Sequence, residues 1–321
     1  MRVLVVGGGV AGVEALATLS GLGGDGLKLA LLDSAPTCAL YEELGIELHE
    51  GELAGVDQKT RSVRLVSGGT LDYDQLLVAC GACPVAPYAG VHTLGLGPLP
   101  DHFAALRPGR LSIVVPPAVA WTLPAYQLAL TAVSQIAMDV EVITPERSPL
   151  EAFGGRASLL AGELLANSGV QVLPRCTIPE QSDLVTLLDN VIALPLLRGP
   201  SIAGLPVEGD GFLGVDGLGR VVGAIAVHAA GDVTSRVLKG DGLAAQDGAI
   251  AASDMARRAG LMPRGEPSPR VLAGELVASD GTAVHMRRVL DGHDAGVASR
   301  QPLRTVEQPV VQRVAHQLCT G

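Results

Sequence analysis

Aromatic residues are nearly missing from this chain: Phe, Trp and Tyr make up 2% of its 321 residues, with a single Trp. The interior must therefore be built from Leu, Val and Ala, and a hydrophobic fraction of 48% supplies enough of them for a sizeable core. Charge is sparse at 17%, and basic charge is short, with 23 Lys and Arg against 33 Asp and Glu for a formal net charge of −10. Such a surface argues against nucleic acid and does not favour anionic membranes. No apolar run approaches the roughly 20 residues of a membrane span. The five cysteines are odd in number and irregular in spacing, which does not suggest the disulfide framework of a secreted domain. The seven histidines form no His-x-x-x-His or His-Glu pattern, and no metal site is expected. The N-terminus enters a strand directly, without the basic and apolar regions of a signal peptide, so the expected location is cytoplasmic. There is no repeat of fixed period.

What the chain has in abundance is glycine, 41 residues, and its opening stretch uses them in order. Arg2–Val6 is a valine-rich apolar run that reads as a buried parallel strand. Gly7, Gly9 and Gly12 follow with Gly-x-Gly-x-x-Gly spacing, and Val13–Leu22 reads as a helix. In such a turn the first glycine permits the tight bend, the second lets a pyrophosphate approach the backbone, and the third lets helix and strand pack closely. The phosphates would lie against the helix start at Val10 and Ala11, where free N–H groups and the dipole favour negative charge. The next strand, Lys28–Leu32, ends at Asp33, an acid about 20 residues past the last glycine, where a carboxylate accepts hydrogen bonds from an adenosine ribose. The competing reading is a glycine-rich turn in an α/β protein with no ligand.

Further along, Leu44–Leu48 reads as a short strand or helix. Val56–Asp57, Ser62–Val66 and Thr70–Tyr73 read as an antiparallel meander with a Ser-Gly-Gly turn. Leu76–Ala79 is an apolar strand broken by Cys80-Gly81-Ala82-Cys83-Pro84. The proline-rich stretch Leu94–Arg110 reads as a domain crossing. A second strand–helix–strand unit follows at Leu111–Val115, Pro124–Met138 and Val140–Thr144, then a helix at Ala157–Ser168 and strands at Val170–Leu173 and Val191–Leu194. The apolar Ala224–Ala230 runs into Gly231-Asp232, and Leu243–Ala259 has helix-forming composition stopped by Gly260. Glu266–Gly321 carries the weakest signal.

Four of these pieces together resemble the FAD-dependent pyridine nucleotide–disulfide oxidoreductases, and within that superfamily the sulfide:quinone oxidoreductase and type II NADH dehydrogenase branch. They are Gly7–Gly12 with Asp33; Leu71–Ala82, similar to a Tyr-Asp-x-Leu-x-x-Ala-Thr-Gly strand and turn; Val227–Asp232, similar to the second FAD fingerprint; and Lys239–Gln246, similar to the loop and helix start that meet the flavin. The likeness covers about residues 1–260. It implies an α/β fold of two Rossmann-like dinucleotide-binding domains, the second inserted in the first: an FAD domain at 1–98 and 210–260, a second, NAD-type domain at 99–209, and a C-terminal extension at 261–321. It implies an FAD-dependent oxidoreductase with a small-molecule electron donor (sulfide, a thiol or weakly bound NAD(P)H) and a quinone-like acceptor. By the same likeness, Gly231 and Asp232 approach the ribityl and pyrophosphate portion, Cys80 and Gly81 form the turn beneath the cofactor, and Gly242 and Leu243 begin a helix aimed at the flavin. Lys239 is either a cation near the ring or a solvated loop lysine. A homodimer and a peripheral membrane contact are compatible with this reading. The alternative is a degenerate module that binds flavin or an adenine nucleotide and serves sensing or partner binding.

The pattern departs from the family at Pro116–Trp121, where NADH-using members carry a second Gly-x-Gly-x-x-Gly. Two prolines there remove N–H donors, and Ala and Val side chains block backbone approach. The stretch after Asp33 is also short for the family. Cys80 and Cys83 have the spacing of a redox pair, but small-residue packing is the favoured reading, and no matching pair exists for zinc. Cys176 is a weaker catalytic candidate, and Cys38 and Cys319 read as surface thiols. His228 reads as a packed neutral histidine. Trp121 and Tyr126 read as core, with an acceptor channel as the other option. The narrow apolar stripe in Val306–Leu318 does not support membrane insertion.

Overall fold

A computed structural model describes residues 1–23, 26–36, 40–97, 103, 106–261, 269–290 and 295–303. Cys38, His102, His293, His316, Cys319 and the stripe in Val306–Leu318 lie outside the described residues. The chain forms two compact units: one joins Met1–Cys83 with Arg198–Arg270, the other Pro84–Leu197 with Val271–Thr305.

The first unit opens with strand β1 (Arg2–Val6), helix α1 (Val10–Gly23), β2 (Lys28–Asp33), the short α2 (Leu40–Glu43) and β3 (Glu47–Glu50). The meander β4 (Leu53–Asp57), β5 (Ser62–Leu65) and β6 (Thr70–Asp72) follows, then β7 (Gln75–Val78). Strand β8 (Cys83–Val85) marks the passage to the second unit, which contains β9 (His92–Thr93), β10 (Arg110–Val114), α3 (Leu123–Gln135), β11 (Asp139–Ile143), α4 (Gly155–Asn167), β12 (Val170–Leu173) and β13 (Asn190–Ala193). After β14 (Leu196–Arg198) the chain returns and completes the first unit with β15 (Val227–Ala229) and α5 (Asp241–Arg258). Residues beyond Arg270 add β16 (Val271–Val277), β17 (Ala283–Val289) and β18 (Val297–Ser299) to the second unit.

Each unit is built on a five-stranded sheet, ordered β15-β7-β1-β2-β3 in the first and β12-β11-β10-β13-β9 in the second. Every pairing in both sheets is parallel, as continuous apolar runs require. Alternate residues of the first sheet serve two cores. Val3, Val5, Leu31 and Leu77 pack with α1 and α5, whereas Leu4, Val6, Leu76 and Val78 pack with Val63 and Tyr73 of the meander side.

The structure differs from the sequence reading in three places. The break between units falls after Cys83, earlier than the proline-rich stretch, because β9 pairs in parallel with β13. The apolar Ala224–Ala230 yields a strand only over Val227–Ala229: Ala226 has φ 58° and Ile225 is exposed, so the first part is a turn. In the C-terminal extension, where the sequence signal is weakest, residues 271–299 form the antiparallel sheet β16-β17-β18. Its Gly274 gives no strand signal because it receives the Phe153 ring; a Cβ there would lie 2.7 Å from Phe153 Cζ.

Two contacts fix the frame of the first unit. A Cβ on Gly248 of α5 would stand 2.3 Å from the Ala11 carbonyl oxygen of α1, so the helices touch backbone to backbone. At the other end of α5, the buried Asp254 carboxylate accepts hydrogen bonds from Arg220 at 2.7 Å, from Arg258 at 3.0 Å, from His228 Nε2 of β15 at 3.0 Å, and from Arg257. Burial alone would raise the Asp254 carboxyl, but these donors outweigh it and hold it well below the usual carboxylate range. Burial lowers the pKa of His228, against the pull of the Asp254 carboxylate.

Gly248→Ala is expected to cost about 1–3 kcal/mol of stability by overpacking, read in urea unfolding. Asp254 has a depressed pKa, so its stabilisation is present above the unfolded value and lost as pH falls. Asp254→Asn is expected to lose about 3 kcal/mol at pH 7, with the gap to the native protein closing as pH drops below about 4; a gap as wide at pH 3 as at pH 7 contradicts this account.

Candidate functional site

The carboxyl ends of β1, β2, β7 and β15 open into one cleft of about 500 Å³ in the first unit. This is where a doubly wound sheet binds ligands. Gly7 has φ 102°, and a Cβ there would lie 2.4 Å from the Ala79 carbonyl oxygen, so β1 turns hard against the end of β7. A Cβ on Gly12 would lie 1.9 Å from the Gly7 carbonyl, so α1 leaves that turn in backbone contact. Gly9 has nothing within 4 Å of where its Cβ would stand and faces the cleft. These are separate jobs: bend, close packing, open floor.

The first helical hydrogen bond of α1 runs from Val13 N–H to Gly9 O at 3.0 Å. The N–H groups of Val10, Ala11 and Gly12 therefore precede it, a helix start of the kind that receives anions. Asp33 ends β2 at the cleft. Its Oδ2 accepts from Gly8 N–H at 2.6 Å and its Oδ1 from Ala35 N–H at 2.8 Å, which fixes the carboxylate and leaves lone pairs for hydroxyl donors. Tyr41 of α2 is buried and donates to the Gly8 carbonyl at 3.2 Å, backing the loop.

Ala79, Cys80 and Gly81 form the adjoining wall, and Gly231 and Asp232 follow β15 into the cleft. Gly231 has φ 75° and backs onto Ala11 and Ala244, with virtual Cβ distances of 3.1 and 3.3 Å. Asp241 and Ala244 bring the start of α5 to the same cleft. Burial raises the Asp232 carboxyl, while Lys239 and the Gly240 N–H pull it back.

Gly7, Gly9, Val10, Ala11 and Asp33 thus line the cleft with Cys80, Gly81, Gly231 and Asp232. Gly12, Lys239, Gly242 and Leu243 are not among its lining residues. Lys239 is half-buried and tied to the backbone: its Nζ donates to the carbonyls of Asp232, at 3.0 Å, and Thr234, and lies 4.4 Å from the centre of the Phe212 ring. It holds the turn that presents Asp232. The far wall, Gly51–Ala54 and Pro200–Ala203, carries no signal in the sequence. It exists because Val56 N–H bonds to Ala203 O at 2.8 Å, a contact between segments far apart in the chain.

Cys80, Cys83 and Cys176 are free thiols. Cys80 is exposed at the cleft wall, yet the desolvation by surrounding protein pushes its thiol up to about 11, the reverse of what an attacking cysteine needs. Among the described residues no group of three or more His, Cys, Asp or Glu is placed to hold a metal ion, and no helix is long and apolar enough to cross a membrane. Trp121 and Tyr126 are both used in packing: the Trp121 ring lies 5.9 Å from that of Phe153, and Tyr126 is wholly buried.

The turn of the second unit differs from the first. Between β10 and α3 it holds Pro116 and Pro117, and Pro124 stands in the first turn of the helix. Glu146, just past β11, is buried and accepts hydrogen bonds from Thr122 Oγ1 at 3.0 Å, Tyr126 Oη at 2.6 Å, Thr144 Oγ1 at 3.2 Å and Glu151 N–H at 3.2 Å. Burial raises its carboxyl, and these donors act against that shift.

With its thiol near 11, Cys80 is expected to alkylate with iodoacetamide at pH 8 about two orders of magnitude more slowly than an unperturbed cysteine. Site-resolved mass spectrometry checks this; labelling as fast as that of a free thiol contradicts it.

No protein-family model matches the chain, and no curated protein matches it in sequence. Solved structures do match. A sulfide:quinone oxidoreductase from Aquifex aeolicus superposes with a TM-score of 0.76 at 18% identity, covering 93% of this chain and 86% of that one. An NAD-dependent persulfide reductase from A. fulgidus gives 0.63 at 17% identity, covering 91% of this chain and 64% of that one. A pyridine nucleotide–disulfide family oxidoreductase from Enterococcus faecalis gives 0.65 at 15% identity, with coverages of 90% and 75%. The chain has the α/β fold of these oxidoreductases, with parallel-strand sheets.

Proposed function

We propose that this chain is an FAD-dependent oxidoreductase that passes electrons from a small donor to a quinone-like acceptor. The observation that carries the reading is the cleft at the ends of β1, β2, β7 and β15, which sets the open Gly9 floor between two carboxylates, Asp33 and Asp232. The donor set fits FAD. The N–H groups at Val10 and Ala11 suit the pyrophosphate, Asp33 suits the adenosine ribose, and Asp232 suits a ribityl hydroxyl. The uncrowded Gly9 is the position where a side chain would collide with phosphate. When bound, the flavin supplies two-electron redox chemistry, and the protein supplies binding, orientation and electrostatics.

The chain's own residues do the positioning. Gly8 N–H and Ala35 N–H hold Asp33 in one orientation, so its accepting lone pairs need no ordering when a ribose arrives. Lys239 ties the Asp232 and Thr234 carbonyls and thereby fixes the turn that carries the second carboxylate. The start of α5 at Asp241 and Ala244 faces the cleft, and its dipole favours negative charge there.

The second reading, a non-catalytic flavin- or adenine-nucleotide-binding module, draws on the raised Cys80 thiol and on the prolines that replace glycines in the turn before α3. Redox turnover separates the two readings. The purified protein is expected to show a flavin absorbance spectrum, or to acquire one on adding FAD, and to bleach anaerobically with a physiological donor such as sulfide. Gly9→Val is expected to abolish FAD retention. Asp33→Ala removes two charge-assisted acceptors and is expected to weaken binding roughly ten- to a hundred-fold. A colourless protein that takes up no FAD overturns the assignment, and a flavoprotein that no donor reduces selects the binding module.

A further inference from the structure

The two units repeat one strand–turn–helix–strand pattern and end it with an acid in each case. In the first unit β1 leads through Gly7–Gly9 into α1, and β2 ends at Asp33. In the second, β10 leads through Pro116–Trp121 into α3, and β11 is followed by Glu146. The two acids do opposite things. Asp33 faces the open cleft. Glu146 is 7% exposed and turned onto the start of α3, where every partner it has is a donor: the hydroxyls of Thr122, Tyr126 and Thr144 and the Glu151 N–H.

The start of α3 offers a phosphate fewer N–H groups than the start of α1 does. Pro124 lacks an N–H, and the Ala125 N–H bonds to Thr122 O at 3.0 Å. The Val119 N–H bonds to Pro116 O at 3.1 Å. Thr122 occupies the N-cap position, yet its side chain makes no capping bond and gives its proton to Glu146 instead. A pyrophosphate entering here would meet a carboxylate of like charge, and expelling it would leave the buried hydroxyls of Thr122 and Tyr126 unpaired.

We infer that the start of α3 is an anion seat filled by the chain's own Glu146 carboxylate, so that the second unit takes no nicotinamide nucleotide and the electron donor is of a class that brings none. The statement about the donor rests on the proposed flavoenzyme; the filled seat does not.

Glu146→Ala leaves the donors around a space the size of a carboxylate. Its melting midpoint is expected to fall by several degrees, and millimolar acetate or formate to restore part of the loss in the variant while leaving the native protein unchanged. Equal effects of acetate on both proteins overturn the seat. The native protein carries an independent test, which stands if the variant does not fold. NADH and NADPH are titrated onto FAD-supplemented protein and followed by saturation-transfer NMR, with no saturable binding expected up to about 1 mM, the upper end of ordinary substrate affinities. Saturable binding that persists in Gly9→Val overturns the inference. Binding that Gly9→Val abolishes belongs to the first cleft, which counts against the FAD assignment and for the closed second seat.

Discussion

The first unit depends on backbone meeting backbone without side chains between. The turn at Gly7 lies against the end of β7, α1 leaves it with Gly12 on the Gly7 carbonyl, and α5 lies on α1 through Gly248 and Ala11. Each approach is shorter than any Cβ allows. Together they draw the ends of β1, β7 and β15 into one crevice and bring two helix starts to it. The sparse aromatics belong to the same economy of space: the core between α1, α5 and the sheet is made mostly of Val, Leu and Ala, whose small volumes let the helices come close.

Side-chain clusters then decide which backbone features remain available. The Asp254 cluster locks α5 to β15 at the end away from the cleft, and Lys239 clamps the turn after β15 through its carbonyls. Neither touches the cleft, yet both determine where Gly231 and Asp232 stand. In the second unit the same logic runs the other way. Hydroxyls and a carboxylate converge on the helix start, and a geometry that could take an external anion is satisfied internally.

Much of the candidate site was legible because its signal is local. The glycine spacing, the short valine-rich strand before it and Asp33 after it all lie within a single strand–turn–helix–strand segment, and the structure places Gly7, Gly9 and Asp33 at one cleft. Helix and strand bounds fall within a few residues of their periodicity, as at Val170–Leu173. Features set by distant contacts were not legible. The cleft wall at Pro200–Ala203 forms by pairing with β4, Glu146 looks like any loop acid until Tyr126 and Thr122 reach it, and Lys239 reads as a loop cation until the Phe212 ring and two carbonyls surround it.

The sequence by itself determined the alternation of apolar strands and helices, hence the parallel sheets, and the open glycine turn between β1 and α1. These follow from steric rules that act over a few residues, where a missing Cβ or a missing N–H has the same meaning in any fold. Only the tertiary structure decided that the first helix start stays open and the second is filled, and that residues 271–299 form a sheet. Those outcomes depend on which groups share a desolvated space, and that is fixed by packing between segments far apart in the chain.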